Sequence, residues 1–224
     1  PIDVKMGPDG AIYIADWYNP IIQHGEVDFR DPRRDHKHGR IWRITAKGRP
    51  LVDKRKLVGA SITALLDALK APEQWTREQA KRVLNDREPA DVIKRTKAWV
   101  GSLDTQDPEH AHHLLEAAWV LQSHNTVDPT LVQQIVDSGE PRAFAAVIRI
   151  LKTWSLDNAP AYDEAWFPAI REKAITHDYG RVRLEMIHLL RQQGTLEALQ
   201  QAIRVLDKPV DRFIDFALSE TLEE

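Results

Sequence analysis

Apolar and polar positions change rhythm once along this chain. Before about residue 56 the apolar residues come in short runs. Ala11-Ile12-Tyr13-Ile14-Ala15 is β-branched and aromatic, and Gly39 to Thr45 sets Arg40, Arg43 and Thr45 against Ile41, Trp42 and Ile44. Both segments have the composition and spacing of strands. Pro8-Asp9-Gly10 supplies turn chemistry ahead of the first. About twenty residues without periodicity separate the two, longer than most structureless connections in compact domains. From Leu57 the spacing becomes helical: Leu196, Leu199, Ile203 and Leu206 fall on one stripe, as do Leu131, Val132, Ile135 and Val136.

That spacing predicts helices over 62–71, 75–87, 89–102, 108–123, 129–138, 141–154, 162–176, 180–193, 195–206 and 209–222. The punctuation agrees. Thr76-Arg-Glu-Gln79 has a capping-box pattern with Trp75 before it. Asp107-Pro108 and Asp128-Pro129 each place a capping acid before a proline at the first helical position. Pro141, Pro160 and Pro209 are expected to open further helices, and Gly194-Thr195 to stop one and cap the next. The ten helices form five antiparallel pairs, whose second members end on Leu84, Leu121, Leu151, Leu190 and Leu222, at intervals of 37, 30, 39 and 32 residues. Irregular repeats of this length predict a mainly α fold, a HEAT-like α-solenoid in which each pair buries its face against its neighbours. The expected organisation is a sheet segment over 1–46, a linker over 47–57 and helical repeats over 58–224. Two strands cannot cover their own faces, so residues 1–46 are expected to be the tail of a larger sheet and the chain an internal piece of a longer protein. A start at Pro1 rather than Met agrees with that expectation.

Charge marks the same boundary. Through Lys56 there are 12 Lys/Arg against 8 Asp/Glu, a net of +4, and the remainder has 19 against 26, a net of −7. The overall −3 argues against a general nucleic-acid binder. The absence of cysteine excludes disulfides, thiolate metal sites, a cysteine nucleophile and covalent haem attachment within these residues. No apolar run approaches the length of a membrane span, and no nucleophile elbow, P-loop or dinucleotide fingerprint is present.

The stretch Gly7-Pro-Asp-Gly-Ala-Ile-Tyr-Ile-Ala-Asp-Trp-Tyr-Asn-Pro20, followed by the charged string His24 to Arg43, resembles the large membrane-bound dehydrogenase-type proteins of planctomycetes and verrucomicrobia. The resemblance is specific over residues 6–50 and weaker over 60–224. It implies a six-bladed β-propeller related to quinoprotein sugar dehydrogenases, then HEAT repeats and usually a C-terminal cytochrome c domain. Residues 1–46 would then be the closing blade, in part. The implied function is oxidation of a sugar or alcohol in the periplasm or outside the cell. PQQ with calcium, and haem c, would serve the full-length protein, and the helical repeats would act as spacer between the propeller and cytochrome domains. These residues alone would be inactive. The rival expectation is a non-enzymatic propeller–solenoid scaffold that binds a protein or a polysaccharide.

On that resemblance the loop over 16–40 would reach a ligand-bearing face, where inter-strand loops collect polar groups. His24, His36 or His38 could take a hydroxyl proton, since imidazole titrates near neutrality. Asp16, Asn19, Asp28, Arg33 and Arg34 are the cofactor-binding candidates, the arginines through bidentate contacts to an anionic group. The structural alternative is that alternating acids and arginines cross-link the loop to itself. His36-Lys-His38 beside Asp35 is a weak metal signal that lacks a third ligand, and no metal site is assigned. The cluster Glu109, His110, His112, His113 and Glu116 is expected to be an exposed helix start among charged neighbours. Trp75, Trp99, Trp119, Trp154 and Trp166 are expected in or beside the helical core, and Trp17 and Trp42 against the sheet.

Overall fold

The computed structural model describes residues 2–18, 28, 30–157 and 165–223. Its first element was not expected. Strand β1 (Asp3–Met6) precedes β2 (Ile12–Asp16) and β3 (Arg40–Ile44), and the three form one antiparallel sheet in the order β1-β2-β3. Its signal was the alternation of Ile2, Val4 and Met6 with Asp3 and Lys5. The register sets Val4 opposite Ile14 and Ile14 opposite Trp42, and sets Met6 opposite Ile12 and Ile12 opposite Ile44. Directly opposed residues share a face, so these six apolar side chains lie on one side of the sheet. All but Ile14 are exposed.

The β1–β2 turn is built tightly. Gly7 N–H donates to the Ala11 carbonyl at 2.8 Å and Gly10 N–H to the Gly7 carbonyl at 3.1 Å. Gly10 has φ of +76°, which favours glycine. Gly7 lies under an aromatic ring: a Cβ there would sit 2.2 Å from Tyr13 Cε2.

Ten α-helices follow among the described residues, one for each expected span: α1 (Ile62–Ala68), α2 (Gln74–Asn85), α3 (Pro89–Gly101), α4 (His110–Ser123), α5 (Pro129–Asp137), α6 (Pro141–Asp157), α7 (Phe167–Ile175), α8 (Gly180–Gln193), α9 (Leu196–Ile203) and α10 (Arg212–Glu223). The chain is therefore mainly helical with a small three-stranded sheet. Several ends are set as expected. Asp128 Oδ1 caps α5 through Leu131 N–H, with Pro129 in the first turn. Gly194 ends α8 at φ of +60°, and Thr195 Oγ1 caps α9 through Ala198 N–H. Others differ. Thr76 is not a cap: α2 begins at Gln74 and Thr76 is buried inside it. Asp107 caps a turn ahead of α4 through Glu109 N–H, so the helix begins at His110. Asp211, two residues after Pro209, caps α10 through Phe213 and Ile214 N–H. The end of the expected ninth helix, 195–206, tightens into a 3-10 turn over Arg204–Asp207. Pro160 and the expected start of the seventh helix lie outside the described residues.

Packing follows chain order. The even-numbered helices touch one another in sequence from α2 to α10, and each odd-numbered helix touches an even-numbered neighbour. Four of the five leucine anchors, Leu84, Leu121, Leu151 and Leu190, are buried between successive helices, but Leu222 is exposed. Trp99 and Trp154 are in the core, with Trp75, Trp119 and Trp166 packed against it. Trp17 and Trp42, expected to pack at the sheet, are exposed, since among the described residues no layer covers it.

The connection between sheet and helices is attached at both ends. Val52 N–H donates to the Asp9 carbonyl at 3.0 Å, and Leu57 is buried in the helical core. A cleft of 940 Å³, lined by Val4, Met6, Trp75 and Gln79 among others, separates β1 from the start of α2.

Two outcomes follow from this packing. Leu121→Ala should cost about 3 kcal/mol through lost burial and a residual cavity, against about 1 kcal/mol for loss of the α9 cap in Thr195→Ala; urea denaturation checks both. Residues 57–224 should keep a cooperative helical melt by circular dichroism without the sheet, because their core contacts are among neighbouring helices. A chain starting after Leu57 should melt lower, since it lacks that core residue.

Candidate functional site

The motif around the first turn is a set of mutual contacts. Asp9 is almost wholly buried and accepts from Ala11 N–H at 3.2 Å, Tyr13 O–H at 3.1 Å, and Arg43 Nε and Nη2 at 3.0 and 2.7 Å. The Arg43 hydrogen bonds lower its carboxyl to about 2, helped by those of Ala11 and Tyr13 and opposed by burial. Asp9, Tyr13 and Arg43 thus tie the β1–β2 turn to β3, and Gly7 leaves room for the Tyr13 ring.

Asp16 does the same at the other end of β2. Its Oδ2 accepts from Trp42 Nε1 at 3.0 Å and its Oδ1 from Tyr18 N–H at 3.1 Å. Those hydrogen bonds, Trp42 first, hold it below the ordinary carboxylate value. Arg40, its partner across the ladder, lies over the Tyr18 ring, 3.2 Å from the centroid.

The loop that enters β3 uses one device three times: an aspartate accepts from the backbone N–H two residues on. Asp28 takes Arg30 N–H at 2.8 Å, Asp31 takes Arg33 N–H at 2.9 Å, and Asp35 takes Lys37 N–H at 3.0 Å. Asp31 is also gripped by the Arg33 guanidinium through Nε at 2.9 Å and Nη2 at 2.8 Å, which lowers its carboxyl to about 2. Arg34 is buried and donates from Nε to the Asp28 carbonyl at 2.9 Å. Asp35 also accepts from His38 N–H at 3.1 Å and meets the His38 ring at Nδ1, 2.8 Å from Oδ2. With Nδ1 turned to the carboxylate, Nε2 is the nitrogen left to face solvent.

Of the expected site residues, Asp28, Arg33, Arg34, His36 and His38 therefore share one loop, and Asp16 sits at the end of β2. Asn19 and His24 lie outside the described residues. His36 is exposed. His38, held by Asp35, has the orientation of a base positioned by an acid. Of the described cofactor candidates, Asp16 is engaged by Trp42 and Tyr18, Asp28 by Arg30 N–H, Arg33 by Asp31 and Arg34 by the Asp28 carbonyl, and among the described residues no three His, Cys, Asp or Glu side chains are placed to hold a metal ion.

The helical His/Glu cluster differs from expectation. His113 and Glu116 are buried rather than exposed. Glu116 accepts from Arg77 Nε at 3.0 Å and Lys81 Nζ at 2.7 Å, both on α2, and meets His112 Nε2 at 3.2 Å. Glu185 repeats this on α8: Arg149 of α6 reaches it at 2.5 Å and Arg181 at 2.8 Å. Glu116 was expected at an exposed helix start, and Glu185 was not singled out. Their signal is one acid inside an apolar run, Leu114-Leu115-Glu116-Ala117-Ala118 and Leu184-Glu185-Met186-Ile187.

A domain of unknown function, DUF7133, matches residues 1–48, the segment that holds the sheet and the charged loop. No curated protein and no solved structure matches the chain.

The Asp9 contacts carry a pH dependence. A carboxyl lowered from 3.8 to about 2 contributes stability that is complete above about pH 4 and lost as pH falls through about 2. Tyr13 and Arg43 amide resonances should shift in that window in the wild type. They should be displaced already at neutral pH, without that titration, in Asp9→Ala.

Proposed function

We propose that this chain is part of an exported or periplasmic quinoprotein-like dehydrogenase that oxidises a sugar or an alcohol. The sheet would be one blade, in part, of a β-propeller. The helices would form a HEAT-like α-solenoid, the spacer towards a cytochrome c domain that accepts the electrons. The observation that carries this reading is the sheet itself. Six apolar side chains on one face, all but one exposed, are what a blade presents to the next blade. The resemblance over residues 6–50 supplies the chemistry. PQQ with calcium would be held mostly by groups outside the described residues, whose candidates already have partners within the sheet and loop.

Within that reading His38 is the described side chain suited to acid–base work. Asp35 fixes its ring, and Nε2 could take the proton of a substrate hydroxyl. Asp16, Asp31 and Arg33 shape the sheet and loop around it.

One observation favours the second reading, a scaffold that binds a protein or polysaccharide: most candidate cofactor ligands already have partners within the sheet and loop. The two readings separate in one experiment. The protein from the complete reading frame, supplied with PQQ and calcium, should reduce an artificial dye with a sugar or alcohol from a substrate panel. His38→Gln should then lower kcat by a factor of about 10² to 10⁴ while quinone binding persists. Absence of both dye reduction and quinone binding would favour the scaffold.

A further inference from the structure

Helix α10 has two apolar faces and buries one. It packs on α8 and α9 through Ile214, Ala217, Leu218 and Thr221, all buried. At about 100° of turn per residue, the opposite side carries Arg212, Phe213, Phe216, Glu220 and Glu223 within an arc of about 100°. Phe213 is 56% exposed and Phe216 66%. Aromatic side chains of this kind carry most of the energy of protein interfaces when they are covered.

The charges on that face are ordered along the helix. Arg212 holds the first position, with its guanidinium carbon 4.7 Å from the Phe213 ring centroid. Glu220 and Glu223 lie at the far end, about 12 and 17 Å further on at the rise of an α-helix. Glu220 meets Arg191 of α8 at 3.7 Å, yet its side chain stays 40% exposed, and Glu223 is exposed. Asp215 and Leu222 fall on the other flank of the helix. From start to end the face therefore runs cation, two aromatic rings, two acids. Such an order complements itself only when it is reversed.

We propose that α10 is a homodimer surface, on which a second copy of this chain lays its own α10 antiparallel across Phe213 and Phe216. A two-fold axis beside Phe216 brings the two Phe216 rings together. It also carries Arg212 of each copy to the acidic end, Glu220 and Glu223, of the other, so that each contact occurs twice. Charge order selects this occupant. A parallel copy would set Arg212 against Arg212 and acid against acid, which opposes association. The apolar side of the sheet carries no charge on its six opposed residues and selects no orientation. The pairing is independent of the chemistry proposed for the sheet and loop.

Sedimentation equilibrium of the 224-residue chain should show a monomer–dimer equilibrium that weakens as salt screens the charges. Phe216→Ser should weaken it by about tenfold or more. Arg212→Glu alone, and Glu220→Arg/Glu223→Arg alone, should do the same. Mixing these last two proteins should restore a dimer, because one copy then offers only acids around the rings and the other only cations. Val4→Ser/Ile44→Ser, on the apolar side of the sheet, should leave association within about twofold. Circular dichroism checks that every variant keeps its helices. The protein from the complete reading frame should dimerise too, with the same loss in Phe216→Ser. A monomeric 224-residue chain, assembly beyond a dimer, or failure of the mixed pair to associate would each overturn the proposal. So would a monomeric complete protein, which would give the face to a further helix of the same molecule.

Discussion

Each helix in this chain can hide its apolar stripe only against helices close to it in sequence, and the rest of the structure depends on that constraint. Among the described residues, no central layer gathers the ten helices. The buried leucines at 84, 121, 151 and 190 each sit between one helix and its neighbours. Stability is then a chain of local interfaces, and the caps matter because they fix where each helix starts and hence which residues face the next. Asp128, Thr195 and Asp211 do this with one side-chain oxygen each.

Charge inside this array follows the same nearest-neighbour rule. A buried carboxylate without a partner would cost several kcal/mol, and Glu116 and Glu185 find theirs on the preceding even-numbered helix. Ion pairs run along the other row too: Asp137 with Lys173, Glu172 with Arg204 and Asp178 with Lys208. Those acids are more exposed, and their pairs contribute less. Arg183 does a different task, donating to the Val205 and Pro209 carbonyls and so fastening the turn before α10 onto α8. The sheet keeps its own set, Asp9 with Arg43 and Asp16 with Trp42.

The helices were legible because stripe and punctuation agree, as at Gly194-Thr195 and Asp128-Pro129. Boundaries slipped where two capping residues competed. Asp211 prevails over Pro209 because it can take two N–H groups, while proline only presets a dihedral. Strand β1 escaped notice because four residues of alternation, two of them charged, are a short signal. The charged loop was legible as a place of interest but not in its wiring. Sequence cannot show that Asp31 grips Arg33 while Asp35 turns to His38, since each aspartate has several basic side chains within three residues. Glu116 was misread for a plain reason: charge suggests exposure, and the cations that overrule it, Arg77 and Lys81, are more than thirty residues away.

The local character of the helical contacts has a consequence during synthesis. The partners of α4 are α2, α3, α5 and α6, so it can be enclosed as soon as α6 has left the ribosome. Contacts of short sequence separation form quickly, and the helical packing can begin from its first finished pair. Helix α10 keeps Phe213, Phe216 and Leu222 outward, the kind of apolar edge that each newly made helix shows until the next one covers it. Such a nascent chain would need shielding at one moving end rather than over its whole length.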